Sequence, residues 1–330
     1  MTYPGPELRR VLGGIVVGVA TLLAVACGGG EPTSKFFASR VIAFGDESSL
    51  IVDTDSNANG RKYSVNATVS DTDLTIACGA NPLWIQSVAI LYGLVFPQCN
   101  NGTTPTLAPV SRIRAALGAR AADLGPQIDA QRAESPLGAG DLVTVMVGAN
   151  DVIAQYAQYP AVSEATLIAN VEAAGAETGR QVNRIADTGA KVLLATIFDM
   201  GVTPFGVNER AANADIDRAA LLTRLSFRYN ASMRATIVND GRKIGLILLD
   251  EFVTTAAHFI GYGGYTNTTM GVCDLTKSTF VPPSTLDCTA QTFVAGGNGT
   301  YFWADDRHLS GSSQSSLGQL AISRAQNNPF

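Results

Sequence analysis

The sequence predicts an α/β fold, a three-layer α/β/α sandwich around a central, mostly parallel five-stranded sheet. Five apolar runs of strand length occur along the chain, and helical patterns lie between them. Residues 142–147, 191–197 and 243–250 are apolar almost throughout, which is typical of strands covered by helices on both faces. Strands that alternate with helices indicate a parallel sheet.

The remaining elements follow from local patterns. Residues 39–44 ("SRVIAF") contain β-branched side chains and predict the first strand, whereas 111–117 predict a weaker one because two arginines share a face. The long helix over 163–187 begins with Ser163 as its N-cap and ends before Gly189. Two further helices are predicted over 122–133 and 213–238.

Composition limits the class of protein. The chain has 330 residues, of which 46% are hydrophobic and 15% charged, so it is long enough to bury a large core. Its net charge is −5 and its basic residues do not cluster, which argues against a nucleic-acid partner. It contains two histidines and no CxxC pair, so no metal site is predicted.

The N-terminus is typical of an export signal. Arg9 and Arg10 precede an apolar run that is short for a membrane span and ends in small residues. Cys27 follows "LAVA" directly, which predicts a lipoprotein signal over 1–26, lipidation of Cys27 and a flexible tether over 27–38. Simple cleavage and secretion is the alternative. We therefore expect a cell-envelope location, with the outer membrane favoured by the glycine after the cysteine.

Four cysteines remain if Cys27 carries lipid, and an even number in an exported chain suggests disulfides. Local pairing predicts Cys78–Cys99 and Cys273–Cys288. Three connectivities are possible for four cysteines, and the sequence alone leaves them open.

Four short stretches follow the predicted strands or come near the C-terminus. They are "GDESS" after the first strand, "GAR" with Gly118, "GAND" at 148–151, and "YFWADDRHLS" near the end of the chain. Together they resemble the SGNH (GDSL) hydrolase family of esterases and lipases, over residues 39–326. The resemblance implies the flavodoxin-like fold of that family in a single hydrolase domain.

The resemblance also implies roles for residues. His308 would be the general base and acid, Asp305 would orient it, and Gly118 with Asn150 would form the oxyanion hole. The implied function is an exported serine hydrolase that cleaves carboxylic or lipid esters through an acyl-enzyme, as a monomer and without a cofactor. A ligand-binding relative without turnover, or an acyl transferase or deacetylase acting on glycans, is the alternative.

The nucleophile block departs from the family pattern. Glu47 stands where the family has serine, so the nucleophile would be Ser48, displaced by one residue. In a helical turn one residue rotates a side chain by ~100°, which would point Ser48 away from His308, whereas a bulge would let it reach the cleft. Whether Ser48 or Glu47 lies beside His308 decides between the hydrolase and its inactive relative.

Three other features have plain interpretations. Residues 53–60 ("DTDSNANG") resemble a calcium loop, but the EF-hand positions for Gly and Glu hold Ala58 and Ser64, which predicts a polar turn. His258 is expected to be structural. Trp84 and Tyr92 are expected in the core, with a place beside the acyl pocket as the alternative.

Overall fold

The computed structural model describes residues 35–53, 59–99, 110–327 and 330. The predicted signal peptide, Cys27 and most of the tether lie outside these residues, as does the centre of the 53–60 loop. A compact unit spans Phe37–Phe330. Within the described part of the chain, no helix combines the length and the apolar character needed to cross a membrane.

The central sheet has five strands in the order β2-β1-β3-β4-β5, and all neighbours are parallel. This is the doubly wound, flavodoxin-like order, so the predicted fold class is confirmed. The strands are β1 (Arg40–Gly45), β2 (Arg112–Ile113), β3 (Asp141–Met146), β4 (Lys191–Ala195) and β5 (Ile244–Ile247). Every residue of β3 is buried, as the apolar run predicted.

Helices flank the sheet in two groups. The α-helices of the described residues are, in chain order, α1 (Trp84–Leu91), α2 (Leu124–Glu134), α3 (Ala149–Tyr156), α4 (Glu164–Ala186), α5 (Pro204–Ala212), α6 (Arg218–Thr236), α7 (Leu249–His258) and α8 (Gly311–Asn327). Helices α1 and α8 pack on each other, and α4 packs along α6. The predicted N-cap of α4 is present, because Ser163 Oγ accepts from the Thr166 N–H at 3.3 Å.

Two predicted strands are shorter than expected. The run 111–117 forms a strand only at Arg112–Ile113, although Arg114 and Ala116 still donate backbone hydrogen bonds to β1, and both arginines pair with Glu134. The run 243–250 ends as a strand at Ile247, and its last two residues begin α7. The Asp250 N–H donates to Thr196 Oγ1 at 3.0 Å, which fixes that helix start against the end of β4.

A smaller region lies outside the main sheet. Strands β6 (Asn267–Gly271) and β7 (Tyr301–Trp303) pair in parallel. Disulfides join Cys78 to Cys99 and Cys273 to Cys288, the two local pairs that the sequence predicted. Beside the first, the buried Lys62 Nζ donates to the carbonyls of Cys78, Ala80 and Asn81 at 2.8–3.1 Å. Burial lowers the pKa of Lys62 to about 8.

Candidate active site

The carboxyl end of β1 carries the first site residues, and its backbone is tightly held. Gly45 has φ 121°, and a Cβ there would lie 1.8 Å from the carbonyl oxygen of Met146. Gln127 of α2 clamps the same glycine, accepting from its N–H at 2.8 Å and donating to its carbonyl at 2.9 Å. Only glycine allows β1 to approach β3 this closely, so the direction of the chain into the next turn is fixed.

The next residues form a single 3-10 turn over Glu47–Ser49. Asp46 caps it, with its carboxylate accepting from the Ser48 N–H at 3.0 Å. A 3-10 helix has about three residues per turn, so successive side chains point ~120° apart. Glu47 and Ser49 are buried, and Ser49 Oγ accepts from Trp84 Nε1 at 3.1 Å, which places Trp84 in the core. Ser48 is left half-buried between them.

Glu47 extends into the position expected for a substrate oxyanion. Its Oε2 accepts from the Gly118 N–H at 2.9 Å and from Asn150 Nδ2 at 3.0 Å. Asn150 lies in the first turn of α3, directly after β3, and Gly118 follows the second strand with φ 70°. The structure thus brings Gly118 and Asn150 together as the sequence predicted, but they hold a carboxylate of the chain itself.

His308 faces the same carboxylate. Its Nδ1 contacts Asp305 Oδ2 at 2.6 Å, and the His308 N–H donates to Asp305 Oδ1 at 2.7 Å. The other ring nitrogen, Nε2, is buried, has no hydrogen-bond partner and lies 3.6 Å from Glu47 Oε1. That separation suits an ion pair but is too long for a hydrogen bond. The predicted Asp305–His308 pair is present, and Glu47 lies next to it.

The charges of these residues reinforce one another. Burial works to lower the pKa of His308, but Asp305 and then Glu47 outweigh it and raise that pKa to about 10. Burial works to raise the pKa of Glu47, but His308 and the Gly118 N–H lower it to about 2. At neutral pH the site therefore holds an imidazolium between two carboxylates, and His308 has no free lone pair for a serine proton.

The pKa of Asp46 shifts in the opposite direction from that of Glu47. Burial, followed by the charge of Glu47, raises the pKa of Asp46 to about 8. Its side chain is almost fully buried, at 1% exposure. Burial beside the Glu47 carboxylate thus favours the protonated form of Asp46.

Ser48 is not where the sequence placed it. Among the residues that the structure describes, no hydrogen bond joins Ser48 to His308, and the 3-10 turn presents Glu47 there instead. The extra residue is taken up by the 3-10 turn, and the assignment of Ser48 as nucleophile stays a prediction. In this arrangement the Glu47 carboxylate occupies the Gly118 N–H and Asn150 Nδ2 donors and faces His308.

Two residues that hold the backbone of the site in place were not predicted from the sequence. Asp151, inside the "GAND" stretch, accepts from the Ala121 N–H at 2.9 Å and so ties the Gly118 loop to α3. Burial is the main cause that raises the pKa of Asp151 to about 6. Gln127 lies within a predicted helix, and no local signal marks it. His258 ends α7 and takes no part in these contacts.

A cavity of about 520 Å³ lies near the site, although none of Glu47, His308, Gly118 and Asn150 lines it. Tyr63 belongs to its wall and packs against the His308 ring, with ring centroids 5.6 Å apart. Leu117, next to Gly118, and Leu50, next to Ser49, also line it. The wall is largely aliphatic, so the cavity suits an apolar ligand. In the described parts of the chain, no cluster of three or more His, Cys, Asp or Glu side chains has the arrangement of a metal site.

Comparison with known proteins gives no match to a family model and none to a curated protein. Solved structures of similar shape include the acetylxylan esterase Axe2 from Geobacillus stearothermophilus, 12% identical, with a TM-score of 0.43 over 88% of this chain and 96% of that one. A putative GDSL-like lipase from Parabacteroides merdae is 9% identical, with a TM-score of 0.42 over 88% and 97%.

Protein YxiM from Bacillus subtilis is 15% identical, with a TM-score of 0.39 over 90% of this chain and 58% of that one. The fold of this chain is assigned from the strand order of its own central sheet. Two of the three neighbours are named as an esterase and as a putative lipase, both at low sequence identity.

Proposed function

We propose that the protein binds an apolar ligand in the cleft beside Glu47 and His308 and does not turn over carboxylic esters through a serine acyl-enzyme. The observation that supports this most directly is the position of the Glu47 carboxylate. A serine esterase needs a hydroxyl in contact with a neutral histidine and an empty set of oxyanion donors. Here one carboxylate takes both places.

The glutamate does not substitute for serine in ester cleavage. Attack of a carboxylate on an ester carbonyl gives an anhydride, which is less stable than the starting ester. His308 has no proton to remove from Glu47, since the pKa of that carboxyl is lowered to about 2. An ester carbonyl is also excluded from the donors while Oε2 occupies them.

Ester hydrolysis on Ser48 is the second candidate, because Asp305, His308, Gly118 and Asn150 form a complete catalytic frame. It requires Glu47 to withdraw from the donors and Ser48 to enter. An acyl transferase or glycan deacetylase would use the same serine and the same rearrangement. All three enzymes share the acyl-enzyme that a single experiment detects.

Fluorophosphonate labelling tests the proposal. A fluorophosphonate forms a stable adduct with a serine that an adjacent general base activates. We expect no adduct on the wild-type protein and no turnover of short p-nitrophenyl esters. An adduct on Ser48 that is lost in His308→Ala would overturn the proposal in favour of the hydrolase, and a preference for sugar acceptors over water would then indicate the transferase.

Export and lipidation of Cys27 are proposed from the sequence. Mass spectrometry of the N-terminal peptide from membranes distinguishes the two alternatives. A diacylglyceryl cysteine at position 27 supports the lipoprotein, and a free N-terminus created by ordinary signal cleavage supports simple secretion.

A further inference from the structure

The two oxygens of the Glu47 carboxylate have different surroundings. Oε2 is fixed by the Gly118 N–H and by Asn150 Nδ2. Oε1 has only the longer 3.3 Å contact with Asn150, and it lies 3.6 Å from His308 Nε2. One oxygen is thus polarised by donors and the other faces an acid–base group. This division suits a carboxylate that forms a covalent bond through Oε1.

We propose that Glu47 is a nucleophile toward saturated carbon and that the substrate is an apolar oxirane, which the site opens to a diol through a Glu47 ester. The proposal rests on the function proposed above, in that Glu47 rather than a serine meets the ligand. Attack on saturated carbon yields an ordinary ester instead of an anhydride. Covalent catalysis by a carboxylate at such a carbon is established chemistry.

In the first step Glu47 Oε1 attacks an oxirane carbon. The new C–O bond forms as the ring C–O bond breaks, and the ring oxygen departs with the bonding electron pair. That oxygen takes the Nε2 proton of His308, which becomes neutral. The 3.6 Å separation between Oε1 and Nε2 places nucleophile and proton donor against the same C–O bond.

In the second step the neutral His308 removes a proton from water, and the oxygen of that water attacks Cδ of the Glu47 ester. The negative charge develops on Oε2, where Gly118 and Asn150 already donate. Collapse breaks the bond between Cδ and Oε1, and the departing alkoxide takes the proton from His308. One further proton then returns from the regenerated carboxyl group to His308, because Glu47 has the lower pKa.

The sum is oxirane plus water to diol, with no other reactant. The second step explains why the donors point at the protein's own carboxylate: the ester to be hydrolysed is the one on Glu47. Loss of the Glu47 charge on alkylation also removes one of the two carboxylates that hold the proton on His308.

The cavity favours an oxirane over other alkylating groups. A halide or sulfate leaves as a stable anion that does not need the Nε2 proton of His308, and Arg114, the arginine in this wall, is already bound by Glu134 and Gln131. An oxirane keeps its leaving oxygen and needs only a proton. The aliphatic part of the wall, which would hold the substituent, comprises Leu50, Ile51, Val52, Ile113, Leu117 and Leu286.

A single-turnover experiment in H₂¹⁸O with styrene oxide tests this chemistry. With enzyme in excess, we expect the first diol to carry no ¹⁸O from water at the carbon attacked, and the Glu47 peptide to gain one ¹⁸O. The Asn150→Ala variant should accumulate a styrene oxide adduct on Glu47, because loss of one oxyanion donor slows the second step by ~10²–10³-fold while His308 still protonates the ring oxygen in the first. Glu47→Gln should form neither adduct nor diol.

The matched control is Glu251→Gln, which alters an exposed glutamate of α7 and should behave as wild type. Thermal melts establish that each variant is folded. Absence of an adduct in a folded Asn150→Ala variant, together with no diol from wild type, overturns the oxirane inference and leaves the proposed function standing. A fluorophosphonate adduct on Ser48 instead overturns the proposed function, so the two failures are distinguishable.

Discussion

Replacing Glu47 with serine should convert the site into an esterase. The substitution Glu47→Ser removes the carboxylate from the Gly118 and Asn150 donors and leaves a hydroxyl at the start of the 3-10 turn, on the side that faces His308. It also removes one of the two carboxylates that raise the pKa of His308. All parts of a serine mechanism would then be present together.

The expected gain in esterase rate can be estimated from the two hydrogen-bond donors that the substitution frees. One oxyanion donor is worth ~3 kcal/mol of transition-state stabilisation, so two donors freed from Glu47 are worth roughly 6 kcal/mol, about 10⁴-fold in rate. Glu47→Ala frees the same donors without supplying a hydroxyl. The difference between the two variants therefore isolates the nucleophile.

The assay is hydrolysis of p-nitrophenyl acetate, with fluorophosphonate labelling of residue 47 as a second measurement. We expect Glu47→Ser to exceed both the wild type and Glu47→Ala by at least ~10²-fold, and to lose ~10²–10³-fold when Asn150→Ala is added. If a folded Glu47→Ser variant is no faster than Glu47→Ala and takes no label, position 47 does not face His308 and the reasoning is refuted.

Three further predictions concern stability. The pKa of His308 is raised to about 10 in the folded protein, against about 6.5 in the unfolded chain. His308 therefore contributes stability that is fully present below pH 6.5 and is lost as the pH rises toward 10. The melting temperature should fall across that range, and it should fall less steeply in Glu47→Gln. Lys62→Met should lower the free energy of unfolding by ~2–4 kcal/mol, measured by urea denaturation, because three carbonyls lose their donor, and an unchanged midpoint would contradict this. Replacing Cys273 and Cys288 by serine should cost ~3 kcal/mol for a sequence separation of 15 residues, and a loss below ~0.5 kcal/mol would argue against the pairing.

The sheet was predictable because buried parallel strands leave a strong apolar signal. The runs at 142–147 and 191–197 both became strands of the central sheet. The ends of strands were less predictable, because an apolar run does not mark where pairing stops. Leu249 and Asp250 continue such a run, yet they begin α7 where Thr196 fixes the Asp250 N–H.

The grouping of Asp305, His308, Gly118 and Asn150 was predictable for a different reason. Gly118 and Asn150 follow strands of the central parallel sheet, whose carboxyl ends lie together, whereas Asp305 and His308 were grouped with them through the family resemblance of their motif. Which side chain of "GDESS" enters the cleft depends on the conformation of one turn. A 3-10 turn and a bulge are compatible with the same letters, so the choice between Glu47 and Ser48 required the structure.

An NMR titration of His308 shows whether the Glu47 carboxylate lies beside its ring. The chain has two histidines, so His258→Gln assigns the remaining ring signal to His308. We expect the wild-type imidazolium to persist until pH approaches about 10, and the midpoint to fall clearly in Glu47→Gln, which keeps Asp305 but removes the neighbouring charge. Identical midpoints in the two proteins would contradict the account.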